Sequence, residues 1–235
     1  MGCTTMEQFD KRRVHAGSLL TAGLFIISLA STTLAQSQPN KWERSIKAFE
    51  ALDKKKKPQL GSLLFIGSSS IRGWKTMTKD FPDHSVINRG FGGSEIADSI
   101  HFADRIIHPY KPKHVLLYAG DNDMARGKSA EIVLADFKKF ISTIHMKLPK
   151  AQISFIAIKP SLSRWKLAKK MAKANNLIKV HCETDNRLGF IDIWRPMLGN
   201  DGKPKPELFA KDGLHLNSKG YALWTKTVTL YLIKD

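Results

Sequence analysis

Cysteine is nearly absent: among 235 residues only Cys3 and Cys182 carry a thiol. Any form of the chain that loses its N-terminus therefore has no internal disulfide, and its core alone must hold it together. Acidic side chains are scarce too, 21 against 38 Lys and Arg, for a formal charge of +17. That deficit favours anionic partners, and peripheral contact with an anionic surface is expected. Nucleic acid is not, because the one dense basic run, Lys54–Lys57, has no interleaved aromatics and reads as the solvated end of a helix. Nor is there an apolar run of the roughly 20 residues that a membrane span needs. The uncharged stretch "AGSLLTAGLFIISL" (16–29) is shorter, follows Lys11, Arg12 and Arg13, and leads to "TLA" before Gln36. This pattern is that of a secretory signal (residues 1–35) cut after Ala35, which implies an exported protein, periplasmic or secreted; the alternative is an anchor left uncleaved. Cys3 precedes the apolar run, the wrong side for lipidation.

Several chemical motifs are missing as well. A nucleophile elbow would need glycine where Ile71 stands after "GSSS". A dinucleotide loop would need glycine where Glu95 closes "GFGGSE". A calcium loop beginning at Asp121 fails at Ala125, no His-Glu-x-x-His occurs, and no histidine is assigned to a metal. Repeats and low-complexity segments are absent.

What remains is a regular alternation. Five short runs, "LLFI" (63–66), "SVIN" (85–88), "HVLLYA" (114–119), "ISFIAI" (153–158) and "GFIDI" (189–193), are rich in branched apolar residues with little polar alternation. Such runs suit strands buried on both faces of a parallel sheet. Helical spacing fills the intervals: 41–52, 94–107 with Ser94 as a candidate cap, 129–148, 164–183 and 218–233. The reading is an α/β fold, a three-layer α/β/α sandwich whose doubly wound, flavodoxin-like sheet has about five parallel strands. Residues 36–59 form a linker and N-terminal helix, and 60–235 the main domain.

In such a sheet, functional groups collect in loops after strands. The loop after the first run holds Ser68, Ser69 and Ser70; that after the second, Gly90, Gly92 and Gly93; that after the third, "GDND" (120–123); and "KDGLH" (211–215) precedes the last helix. A serine at a strand-to-helix turn, bare glycine N–H groups, an asparagine amide and a nearby Asp-His pair are the parts of nucleophilic acyl transfer. Each alone has a plainer use as a turn former, a cap or a satisfied histidine. "IKPSLSRW" (158–165) follows the fourth run, so Arg164 and Trp165 are candidate substrate contacts, with core packing an equal prospect for Trp165.

Taken in order, "FIGSSSI", "NRGFGG", "GDND" and "DGLH" resemble the four blocks of the SGNH (GDSL-type) hydrolases over roughly residues 60–233. The resemblance departs at Ser68, where the block usually has aspartate, and at Ser70, where it usually has leucine. It implies a serine esterase with Ser69 as nucleophile, His215 as base and Asp212 as its orienting carboxylate. Ser69 N–H, Gly93 N–H and the Asn122 side chain would hold the oxyanion, with no metal or organic cofactor. The substrate class implied is a small-molecule, glycan or lipid acyl ester. A carbohydrate deacetylase with short acyl groups, a lysophospholipase or lipase, and a non-catalytic binder of acylated glycan or lipid share these parts.

Overall fold

The five apolar runs become strands β1 (Leu63–Gly67), β2 (Val86–Gly90), β3 (His114–Tyr118), β4 (Gln152–Ile156) and β5 (Leu188–Ile191). All pair in parallel, in the order β2-β1-β3-β4-β5. The computed structural model describes residues 39–232; the expected signal segment 1–35 lies outside the described residues, as do 36–38 and 233–235. The helices are α1 (Glu43–Lys55), α2 (Ser69–Gly73), α3 (Met77–Asp80), α4 (Ile96–His101), α5 (Ala103–Ile106), α6 (Asp121–Ala125), α7 (Ala130–Lys147), α8 (Ala168–Cys182) and α9 (Ser218–Thr229).

Because side chains alternate across a strand, each central strand feeds two cores. Leu64, Ile66, Val115, Leu117, Ile153 and Phe155 face a layer made by α1, α4, α5, α7 and α8. Leu63, Phe65, Leu116, Tyr118 and Ile156 face α2, α3 and α9, where Trp74, Phe81 and Trp224 pack. This is the expected three-layer doubly wound sandwich. The direction of winding reverses between β1 and β3, so the loops after these two strands diverge and leave a crevice at their C-terminal ends.

Two helices depart from the sequence reading. The expected helix 94–107 is two short ones, parted at Phe102, which turns inward and packs edge-on to Phe91, 6.1 Å between centroids. Its cap is Glu95, not Ser94: the Asp98 carboxylate accepts from Glu95 N–H at 2.8 Å, while the Ser94 carbonyl is drawn to Asn122. The expected helix 164–183 starts late, at Ala168, after a separate 3-10 turn over Trp165–Leu167, because Arg164 is held by the loop after β3.

At the opposite end of β3, His114 is buried, with Nε2 2.8 Å from Ser154 Oγ and Nδ1 without a partner. Burial, helped by Lys113, pushes its imidazole down to about 4 from 6.5. The unfolded chain thus binds a proton that the folded chain refuses between these values, so folded stability drops as pH falls from about 6.5 to about 4. His114→Gln keeps a bond to Ser154 and carries no titration. Its denaturation curves should lose up to about 3 kcal/mol of that pH dependence; an unchanged slope would refute the assignment.

Candidate active site

Gly67 ends β1 at φ +132°, where a Cβ would lie 1.9 Å from the Tyr118 carbonyl oxygen. Only glycine lets the chain pass this close to β3 and turn. Ser68 N–H then donates to the same Tyr118 carbonyl at 3.0 Å, and the Ser68 carbonyl accepts from Ile71 and Arg72 to start α2. The turn sorts the three serines: Ser68 and Ser70 are buried at 2% exposure each, whereas Ser69 is half-buried. As the first residue of α2, Ser69 also has an N–H with no partner within the helix.

Ser69 Oγ lies 2.9 Å from His215 Nε2. His215 Nδ1 lies 2.5 Å from Asp212 Oδ2, and Asp212 Oδ1 accepts from the N–H groups of Leu214 and His215 at 2.9 Å each. Those bonds, the one from the His215 ring foremost, hold the Asp212 carboxyl well below the usual carboxylate range, so it is ionised at neutral pH. The 210–215 loop is itself pinned, by Ala210 N–H to the His215 carbonyl at 2.8 Å and Ser163 N–H to the Gly213 carbonyl at 3.1 Å.

The loop after β2 closes over β1 through Phe91 N–H to the Gly67 carbonyl, 2.8 Å. Gly93 has φ +78°, and its N–H enters no hydrogen bond among the described residues. Its carbonyl accepts from Arg126 Nη2 at 3.0 Å. Arg126 also pairs with buried Glu95, which Lys128 reaches at 2.8 Å. Burial pushes the Glu95 carboxyl up, but these two cations outweigh it and the net displacement is downward.

Asn122 completes the group. One proton of its amide goes to the Ser94 carbonyl at 3.0 Å, and its oxygen accepts from Arg164 Nη1 and Nη2 at 3.2 and 3.3 Å. The amide is therefore fixed in orientation with its second N–H available. Behind it, Asp121 accepts from Arg164 at 2.5 Å and from Lys159 at 2.7 Å, and Lys159 also donates to Tyr118 Oη at 3.1 Å. Burial pushes Asp121 up, yet the Lys159 and Arg164 charges draw it below its ordinary value, and Lys159 is correspondingly raised.

Thus Ser69, His215 and Asp212 form one hydrogen-bonded chain, while Gly93 and Asn122 stand in loops bonded to each other and to the turn that bears Ser69. Arg164 is committed to Asp121 and Asn122, so it reaches the site through the asparagine; Trp165 stacks on Trp194 at 6.2 Å and is half-buried. The sequence reading assigns neither Lys159 nor Asp121 a role in the site. The available signal was position: Lys159 follows a strand-forming run, as the serines do. Among the described residues, no group of three His, Cys, Asp or Glu side chains is placed to hold a metal.

Known folds with this architecture are numerous. A Streptococcus structure provisionally described as a platelet activating factor aligns at 20% identity and TM-score 0.73, covering 83% of this chain and 94% of its own. A GDSL-like lipase from Bacteroides thetaiotaomicron aligns at 18% and 0.64, covering 83% and 96%. A variant of an acetyl-xylooligosaccharide esterase from Geobacillus aligns at 17% and 0.59, covering 76% and 97%. No curated protein matches the chain. At these identities the likeness is one of fold. Sequence relationship comes from residues 65–223, which match the GDSL-like Lipase/Acylhydrolase family and include the β1 turn, both glycine and asparagine loops and the Asp212–His215 loop: the chain belongs to that family.

Proposed function

We propose that this acylhydrolase-family protein is a serine esterase acting on short acyl esters. The observation that carries the reading is the continuous chain from Ser69 Oγ through His215 to ionised Asp212. In the proposed reaction His215 takes the Ser69 proton as Oγ attacks the ester carbonyl, and Asp212 stabilises the imidazolium and fixes its tautomer. Ser69 N–H, Gly93 N–H and the free Asn122 amide proton receive the oxyanion. His215 then protonates the departing alcohol, and a water activated by the same histidine releases the acid.

The preference for short acyl groups rests on the rim. A long chain needs contiguous apolar surface in the binding site. Among the described residues the exposed large hydrophobics are Leu52, Leu60, Met146, Leu162, Val180, Leu230 and Tyr231. Of these, Leu162 alone belongs to a loop that touches the Asp212–His215 turn, where it packs against Gly213. The positive surface suits an anionic alcohol moiety such as an acidic glycan. Hydrolysis of p-nitrophenyl acetate should exceed that of the octanoate by at least about tenfold in kcat/KM, since each misplaced apolar contact costs on the order of 1 kcal/mol. A reversed ratio would favour the lipase reading, and no turnover of either ester would favour the binding module.

A further inference from the structure

We propose that Trp42, which lies outside the family-matched residues, is a positioning residue for the oxyanion: its indole N–H holds the peptide unit that carries the Gly93 N–H. The inference rests on the oxyanion role proposed for Gly93. Trp42 Nε1 donates to the Gly92 carbonyl oxygen at 2.9 Å. The Gly92 carbonyl and the Gly93 N–H belong to one planar peptide unit, so a bond that fixes the oxygen fixes the direction of the proton. This plane is the softest in the loop, since a peptide between two glycines has no Cβ on either side to resist rotation.

Other anchors of the loop act elsewhere. Phe91 N–H is bonded to Gly67, the Ser94 carbonyl to Asn122, and the Gly93 carbonyl to Arg126. None of them touches the Gly92–Gly93 unit from the oxygen side. Trp42 is well placed for that task. It is 4% exposed, its ring packs edge-on to Phe91 at 6.0 Å, and Lys41 Nζ stands over the ring, 5.2 Å from its centroid. A donor on the carbonyl also polarises the peptide and strengthens its N–H as a donor, a second contribution in the same direction. The short 3-10 turn Pro39–Trp42 and the start of α1 are thereby part of the site, although they precede every motif.

Deleting a whole oxyanion donor costs about 10²- to 10³-fold in kcat. Losing Trp42 N–H loosens a donor and leaves it in place, so about tenfold is expected. The test compares Trp42→Phe, and a protein with β-(3-benzothienyl)alanine at this position, against wild type on p-nitrophenyl acetate. The second replacement keeps the bicyclic ring packed on Phe91 and lacks only the N–H. The expected result is a kcat about tenfold lower in both, with KM within twofold and the melting temperature of the benzothienyl protein unchanged. Wild-type kcat in the benzothienyl protein overturns the proposal, as does a KM rise with kcat retained. Ser69→Ala, run alongside, separates the two levels: hydrolysis that survives it removes the esterase reading and this inference with it, whereas abolished hydrolysis beside full activity in the Trp42 proteins removes the inference alone.

Discussion

Ser69→Ala should lower kcat on p-nitrophenyl acetate by at least about 10⁴-fold while leaving the melting curve in place. The side chain's hydrogen bond is to His215 Nε2, and Ser69 is half-buried, so removing the hydroxyl opens no core cavity. Residual rate above the uncatalysed reaction would come from the oxyanion donors, which the substitution leaves untouched. Ser68→Ala and Ser70→Ala serve as the comparison. Both side chains are buried, and neither is bonded to His215. Their activity should stay within about tenfold of wild type. Comparable losses in all three would mean that the turn, and not one hydroxyl, sets the rate, and full activity in Ser69→Ala would end the nucleophile assignment.

Lys159→Met should be the most destabilising of the substitutions considered, by about 3 kcal/mol. Lys159 is 1% exposed, bonded to Asp121 and Tyr118 and 5.5 Å from the Tyr118 ring centroid. Methionine matches its volume but leaves the buried Asp121 carboxylate with Arg164 as its remaining cation, beside the neutral Tyr118 hydroxyl. Half-compensated buried charge is costly, whereas removing both charges is far cheaper. The double variant Lys159→Met with Asp121→Asn should therefore recover a large part of the loss. In a domain of this size the single change corresponds to a fall of roughly 10 °C in Tm. Calorimetry on the four proteins of the cycle gives the coupling directly, and additive effects would show that the pair is not a unit. Activity should fall in the single variant as well, because Arg164 divides its guanidinium between Asp121 and the Asn122 amide.

Much of this arrangement was legible before any coordinates. Strands buried on both faces leave unbroken apolar runs, and all five runs became strands with ends displaced by one or two residues. Helix starts were harder to place. Ser94 looks like a cap by composition, yet its carbonyl is recruited by Asn122 and the cap passes to Glu95. Arg164 looks like the first residue of a helix, yet its bonds across the sheet end hold it in a separate turn. In both places a contact from a distant loop overrode the local preference, and local spacing carries no trace of such a contact.

Sequence by itself determined the layer architecture, the order of the loops and the family, because periodicity and motif spacing are local properties of the chain. The family resemblance already pointed to Ser69; tertiary structure supplied the physical reason that it, and not its neighbours, meets His215, since Gly67 abuts the Tyr118 carbonyl and the turn sends Ser68 and Ser70 inward. Tertiary structure alone brought Lys159, Asp121 and Arg164 behind Asn122, and Trp42 onto the Gly92 carbonyl fifty residues away. Long-range hydrogen bonds have no period and no motif; they exist only once the strands have paired in register and carried the loops to one end of the sheet.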